Sequence, residues 1–597
     1  MKRWQLKRSK IDIAAMAADL HIQPTTAAVL ANRNLFSSQK AHAFLSPNPS
    51  AFYNALEMKG MEQALDLVTK AIKKCMKIVV YGDYDVDGVM STSILIHALR
   101  HCGADVQYYI PHRQKEGYGL NANAVLRLAE EGTGLLFTCD NGIAALKEIS
   151  LAKEKGMQVV VLDHHEPAFS VQADESRRDI LPQADVVIDP KQQDCTYPFS
   201  ALCAAGISYK FALLLLHRFG WHNIELEKEL LCFAAIATVC DVVDLLEENR
   251  ALVKLGLQEI ANTKNFGLRA LLQATQLEGK QITEYHFGFR IGPCINATGR
   301  LESAAIAVEL FCTKEEARAQ EIAQTLVRFN EERKSLTEEA VKRLMAQAEK
   351  MQDTQKVFVL YDPDLHESIA GIVAGRIKDK YYHPTILITQ SEDGAKGSAR
   401  SIEGYHIFEA LFACRELFTR FGGHAMAAGL SLPKENIAIL RERLNQDCTL
   451  TAKEMTPVLR IEKILSFAEI HLTLAKQLRC LAPFGKENPS PLFATCHVMV
   501  EKIRLVGKEK NIMQMRLLEP DTGYRLAAIS FDGLENLREI LKNLYPEETC
   551  DTMLQQGRLP ILLDFVYSID INSYQGRENV QLVIRDFRVS QQGGNHT

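Results

Sequence analysis

The sequence predicts an α/β protein built as a parallel-sheet domain, a long connecting helix, a second α/β domain and a C-terminal region of antiparallel strands. Three observations predict it. Between about residues 75 and 245, short aliphatic runs alternate with helical segments, the pattern of a parallel sheet with crossover helices. Four apolar runs there each end in acidic or imidazole residues: Asp83-Tyr84-Asp85-Val86-Asp87-Gly88 after Lys77 to Tyr81, Asp140-Asn141-Gly142 after Leu135 to Cys139, Asp163-His164-His165 after Val159 to Leu162, and Asp241 after Phe233 to Cys240. Beyond about residue 455 the pattern changes to alternating strand sequence broken by turns.

Taken in order, residues 1–70 read as an extension of short amphipathic helices, with apolar residues at three-to-four spacing in TTAAVLANR and SQKAHAFL. Residues 71–313 form the first domain, with strands at Ile78 to Tyr81, Val106 to Ile110, Leu135 to Cys139, Val159 to Leu162 and Val186 to Ile188. Charge-rich, heptad-like sequence from Lys314 through Lys350 predicts a connecting helix over 314–352, its charges those of a solvated face. The second α/β unit, 353–450, starts with the strand Val357 to Tyr361, continues through the helix Ser368 to Lys380 and returns at Thr385 to Thr389. In the last region, 455–592, Ile561 to Ile571, the turn Gln575-Gly576 and Val580 to Phe587 read as an antiparallel hairpin.

Composition narrows the function classes. A chain of 597 residues holds several domains, each able to bury a core. Its 14 cysteines are scattered without a C-x-x-C pair, which argues against structural zinc and a disulfide framework. The basic start MKRWQLKRSKIDI lacks the apolar core of a signal peptide, and the longest aliphatic run, Phe211 to Leu216, cannot span a bilayer. A soluble, cytoplasmic, monomeric protein with no membrane partner is expected. The net charge of −5 argues at first sight against a polyanionic ligand, yet Lys502, Arg504, Lys508, Lys510 and Arg516 form a local basic path against Glu501 and Glu509.

Carboxylates and imidazoles at the carboxyl ends of parallel strands converge on one crevice. Like charges held that close raise one another's pKa unless a cation neutralises them, so the four clusters argue for bound divalent metal. Mostly oxygen donors with a minority of imidazole suit Mn²⁺ or Mg²⁺ better than Zn²⁺. Two such ions about 3.5–4 Å apart are the usual apparatus for displacement at phosphorus. The expected reaction is hydrolysis of a phosphoester or phosphoanhydride.

GDYDVDG (82–88), CDNG (139–142), DHH (163–165) and CDVVDL (240–245) resemble, in order and spacing, motifs one to four of the DHH phosphoesterases. GPCINATGRLESA (292–304), HESIAGIVAGRI (366–377), GSARS (397–401), GGHAMAAG (422–429) and PFGKENPSPLF (483–493) narrow the resemblance to the RecJ family of single-strand-specific DNA exonucleases. The resemblance covers nearly the whole chain from about residue 70. It implies a DHH catalytic domain, a DHHA1-type second domain and a C-terminal oligonucleotide-binding (OB) barrel.

By the same resemblance, Asp85 and Asp87 ligate metal with Asp83 beside them, Asp140 bridges two ions, and Asp241 and His164 complete the set. His165 is expected to face the phosphoryl oxygens, and Asp163 to be a ligand or a group that orients an imidazole. Water activated by the ions is the expected nucleophile. Arg300 and Arg400 would form a fork around a phosphate, with Ser398 between them in sequence; Gly422 and Gly423 would let the backbone approach, and His424 and Arg376 would contact substrate. Arg113 and Tyr118 would meet the entering strand, Tyr118 by stacking on a base. Cys294 stands where many relatives carry a basic residue.

The implied activity is 5′-to-3′ hydrolysis of single-stranded DNA to 5′-mononucleotides in recombination, mismatch repair and base-excision repair, alongside a helicase and a single-strand-binding protein. Two other readings compete. One is a DHH phosphodiesterase for short oligonucleotides or nucleotide phosphates, against which the long C-terminal tail speaks. The other is a non-catalytic DNA-binding scaffold, against which the complete set of motif carboxylates speaks.

Overall fold

The computed structural model describes residues 2–9, 11–113, 115–117, 119–171, 177–391 and 394–590. The chain divides into two compact units, Pro49–Thr456 and a second made of Met1–Asn48 with Pro457–Thr597.

In the first unit, five parallel strands lie in the spatial order Val106–Tyr109, Ile78–Tyr81, Leu135–Cys139, Gln158–Leu162, Val186–Ile188. Side chains alternate between the two faces of this sheet. Ile78, Val80, Leu135, Phe137, Val160 and Leu162 enter one core, while Val79, Tyr81, Leu136, Val159 and Val161 enter another. Both faces are covered, which explains why these strands read as continuous aliphatic runs. The first strand pairs with the second on one side and the third on the other. Strand order therefore reverses at Ile78–Tyr81, and such a switch point opens a crevice at the carboxyl ends.

The connecting helix is Glu316–Glu349, 34 residues long. It leads to a five-stranded sheet ordered Arg420–His424, Ala427–Leu432, Gly394–Arg400, Thr385–Ser391, Phe358–Tyr361, in which the last two pair in parallel and the others antiparallel. The expected second α/β domain is present, with its first helix at Ala370–Tyr381 after a short turn at Glu367–Ile369.

The other unit contains a closed five-stranded barrel. Phe493–Val506 pairs with Ile512–Leu518, that with Arg525–Ser530, that in parallel with Arg577–Val589, that with Leu559–Tyr574, and Leu559–Tyr574 returns to Phe493–Val506. This is the OB arrangement. The sequence segment expected as one N-terminal extension, 1–70, is divided at residue 48. Arg3–Leu6 pairs in parallel with Val458–Ile461, and Val29, Leu30, Ala41 and Phe44 share a core with Leu474, Phe565 and Leu582. The helix Met61–Lys73 instead buries Leu65, Val68 and Ile72 in the core of the parallel sheet. The signal was hidden because the partner strands lie more than 400 residues away.

Candidate metal centre

Each acidic cluster is aimed by its local backbone. Asp85 caps the helix Val86–His101, accepting hydrogen bonds from the N–H groups of Asp87 and Gly88 at 2.9 and 3.2 Å. Gly88 lies so close beneath Asp83 that a Cβ there would stand 2.5 Å from the Asp83 backbone. Asp87 points away from its own helix and accepts from the N–H groups of Ala204 and Ala205, at 2.7 and 2.8 Å, at the start of the helix Ala204–Arg218. Asp140 adopts φ +61°, a left-handed conformation that short polar side chains tolerate. Asn141 supports the turn by donating to the Cys139 carbonyl at 2.9 Å.

Three strand-end clusters and Asp241, which caps the C-terminus of the helix Ile224–Cys240, meet around His164. Its Nε2 lies 3.2 Å from Asp140, 3.6 Å from Asp87 and 3.7 Å from Asp241. Three groups of donor atoms converge within 4.8 Å: Asp83, Asp85 and Asp140; Asp87, His164 and Asp241; and Asp140, His164 and His165. Asp140 belongs to two of the three. Burial, reinforced by Asp85, pushes the Asp83 carboxyl well up, and burial with Asp87, Asp85 and Asp83 does the same to Asp140. Burial and the neighbouring aspartates raise Asp87 to about 6 and Asp241 to about 9. Burial drives His164 down to about 3, so its ring is neutral, the form that ligates metal. Neither ring nitrogen of His164 makes a hydrogen bond, nor do Asp83 Oδ1 and Asp241 Oδ2. Buried polar atoms without partners are costly, and a pair of divalent cations satisfies this donor set.

Asp163 stands apart from all three groups. Its oxygens accept from the N–H groups of Ile143, His164 and His165 and from His165 Nδ1, the last at 2.7 Å. Burial favours its neutral form, but His165 outweighs that and holds it below the usual range. Of the two positions expected for Asp163, its contacts are those of a group orienting an imidazole. Burial likewise lowers His165, yet the bond and charge of Asp163 prevail and raise it to about 9.

A second cluster consists of arginines. Arg113 stacks over Tyr84 at 5.0 Å, and Arg300 donates from Nη1 to the Ser368 carbonyl. Burial, with Arg113, Arg333 and Arg400 next in weight, lowers Arg300 to about 10. Arg400 donates to Ser398 Oγ at 3.2 Å and is pushed down by burial and by Arg113. Ser398, Gly429 and Gly422 are register partners on adjacent strands, and a Cβ on either glycine would meet nothing within 4 Å. Gly423, at φ +150°, has no such room, and a Cβ would stand 2.4 Å from the Ala427 carbonyl. His424 ends the exposed edge strand. Arg376 is exposed and close enough to Arg333 to lower it, second to burial. Tyr118 lies outside the described residues.

Comparison with known proteins follows this architecture. Family models match residues 77–238 (DHH family, N-terminal domain), 354–449 (DHHA1 domain) and 461–586 (RecJ OB domain). The single-stranded-DNA-specific exonuclease RecJ of Bacillus subtilis is 35% identical over 595 residues, spanning 99% of this chain and 71% of that protein. The chain belongs to the RecJ family. RecJ of Haemophilus influenzae is 34% identical, spanning 89% of this chain and 91% of that one. Thermus thermophilus RecJ in complex with Mn²⁺ aligns with a TM-score of 0.81 at 27% identity, covering 99% of this chain and 80% of that chain.

Two residues packed against these side chains or beside them have no role in the sequence reading. A Cβ at Gly371 would stand 2.5 Å from Arg400 Nη2 and 2.9 Å from Ser398 Oγ, so the helix start must be bare for the arginine to lie there. Arg333, on the connecting helix, is held by Asn330 Oδ1 at 2.9 Å, and Asn330 in turn reaches Cys294 Sγ at 3.6 Å. Gly371 sat within a quoted motif without a role, and Arg333 sat among charges read as a solvated face.

Proposed function

We propose that this chain is a metal-dependent exonuclease that degrades single-stranded DNA from the 5′ end to 5′-mononucleotides. The observation that carries this reading is the convergence of strand-end carboxylates and neutral His164 beside a set of arginines, in a chain related to RecJ over nearly its whole length. Asp83, Asp85, Asp87, Asp140, His164 and Asp241 would hold two divalent cations, Mn²⁺ or Mg²⁺, with Asp140 shared. When bound, the ions supply positive charge for the phosphoryl oxygens and make water nucleophilic near neutral pH.

The remaining work falls to side chains. Asp163 fixes the His165 ring, so that its other N–H can donate to the phosphoryl group as negative charge develops there. Arg113, Arg300 and Arg400, with the Ser398 hydroxyl, hold the phosphate at the 5′ end; bare Gly371 makes room for the Arg400 guanidinium, and the open backbone at Gly422 and Gly429 leaves space for the phosphate. Gly423, His424 and Arg376 contribute to the same side of the substrate. We place the enzyme in the cytoplasm as a monomer serving recombination, mismatch repair and base-excision repair, with a helicase and a single-strand-binding protein as partners. Among the described residues no helix is long and apolar enough to cross a membrane.

The test uses single-stranded DNA labelled at either end, with duplex counterparts, in Mn²⁺, Mg²⁺ or chelator. Metal-dependent release of mononucleotide from the 5′ end of single strands alone supports the reading. Equal degradation of duplex, or hydrolysis confined to di- to pentanucleotides, defeats it.

A further inference from the structure

Residues 110–121 join the edge strand Val106–Tyr109 to the helix Ala122–Glu130 and carry Arg113. The Arg113 guanidinium lies 5.0 Å over the ring of Tyr84, which stands in the chain between Asp83 and Asp85. Gly299, next to Arg300, packs on the same tyrosine, for a Cβ there would stand 2.6 Å from the Tyr84 carbonyl. After burial, Arg113 is the largest influence lowering both Arg300 and Arg400. The guanidinium is therefore fixed beside the metal centre and among the other arginines, although its backbone belongs to a connection with no strand or helix ladder of its own. Fixing such backbone costs conformational entropy that specific bonds must offset.

Those bonds converge on Glu116. Its Oε2 accepts from the His112 N–H at 2.7 Å, and its own N–H donates to the His112 carbonyl at 2.8 Å, so the two residues are tied twice directly before Arg113. Its Oε1 accepts from the hydroxyl of Tyr109, the last residue of the strand, at 2.5 Å and from Nδ2 of Asn121, the cap of the helix, at 3.3 Å. Arg127 of that helix lies over the Tyr109 ring at 4.8 Å. Burial favours the neutral form of Glu116, but the bonds from His112, Tyr109 and Asn121 outweigh it and hold the carboxyl below its usual range. One carboxylate thus links the strand end, the turn before Arg113 and the helix start, with both oxygens engaged there.

We propose that Glu116 is a positioning residue that holds the backbone carrying Arg113 and so sets the preference for a 5′-phosphorylated strand end. This rests on the exonuclease reading above and on Arg113 as a contact of the 5′ phosphate. A guanidinium contact depends on placement, and an error of about 1 Å in such a contact costs up to about 100-fold. A carboxylate that only stabilised the fold would not distinguish one end group from another.

The full-length protein, loaded with Mn²⁺, is assayed on single strands bearing either a 5′ phosphate or a 5′ hydroxyl. The natural protein should show the lower KM for the phosphorylated strand. Glu116→Ala should raise KM for that strand by about 10- to 100-fold, with a smaller change for the 5′-hydroxyl strand and Mn²⁺ binding retained by calorimetry. Glu116→Gln, whose amide oxygen can still accept from the His112 N–H, should recover most of the preference. In an Arg113→Ala background, Glu116→Ala should change KM by no more than about twofold, because its effect passes through that arginine. Equal increases for both strand ends, or an undiminished effect without Arg113, would overturn the proposal and leave the exonuclease reading intact, as would a natural protein active on single strands but indifferent to the 5′ phosphate. Absence of cleavage of any single strand by the natural protein would bring down both.

Discussion

His164 and His165 are chain neighbours with ring centroids 4.4 Å apart, yet their surroundings drive them in opposite directions. Burial without a hydrogen bond drives His164 down, while the bond and charge of Asp163 push His165 up. The division of labour predicts distinct phenotypes. Asp140→Ala should abolish cleavage and Mn²⁺ binding, the latter read by calorimetry, with single-strand affinity in chelator retained. Asp163→Asn should lower kcat by about 10- to 100-fold while Mn²⁺ still binds, because it removes an orienting partner rather than a central ligand. The buried carboxylates also oppose one another when no cation is present. Asp241→Asn should therefore raise the stability of the protein in chelator by ~0.5–2 kcal/mol, read as an increase in Tm, while abolishing activity. A lower Tm in chelator would show that Asp241 is held by contacts other than its repulsion with Asp87 and Asp85.

At the scale of elements, the site is assembled from the ends of strands and the starts of helices. Asp87 belongs to the helix Val86–His101 but satisfies the N–H groups that open Ala204–Arg218. Orphan N–H groups there would otherwise be buried. Asp87→Ala should cost ~0.5–2 kcal/mol of stability even in chelator, the opposite sign to Asp241→Asn, measured by urea unfolding. In the second domain, the helix Ala370–Tyr381 approaches its sheet closely enough that Gly371 lies against Arg400 and Ser398. Gly371→Val should displace the Arg400 guanidinium and raise KM for 5′-phosphorylated strands more than for unphosphorylated ones. An equal change for both would remove Arg400 from the 5′ end.

For the whole molecule, the barrel unit is completed by the opposite end of the chain. Residues Arg3–Leu6 supply a strand to Val458–Ile461, and Trp4 donates to Asp586 at 2.8 Å with Arg588 over its ring at 4.2 Å. Removing residues 1–48 would uncover Leu474, Phe565, Leu582 and their neighbours. The deletion should give a barrel that melts early or aggregates, while residues 49–456 retain a cooperative transition that Mn²⁺ shifts upward. Calorimetry resolves the two transitions, and an unchanged barrel transition would mean that the N-terminal segment only rests on its surface.

The sequence by itself determined the parallel sheet, the second α/β domain, the C-terminal hairpin and the acidic clusters. Each is written locally: the aliphatic runs of the sheet set strands to within a residue or two and hold Asp83, Asp140 and Asp163 just beyond strand ends, while the run before Asp241 is the end of a helix, Ile224–Cys240. Tertiary structure alone decided which of those groups meet and which partners each has there. The sequence leaves Asp163 open between ligand and orienting group, and four donor groups surround it in the fold; Arg333 reads as a solvated charge, and Gly371 carries no reading of its own within its motif. The division of residues 1–70 was equally hidden, because burial and partnership depend on contacts between segments tens to hundreds of residues apart, which no local period encodes.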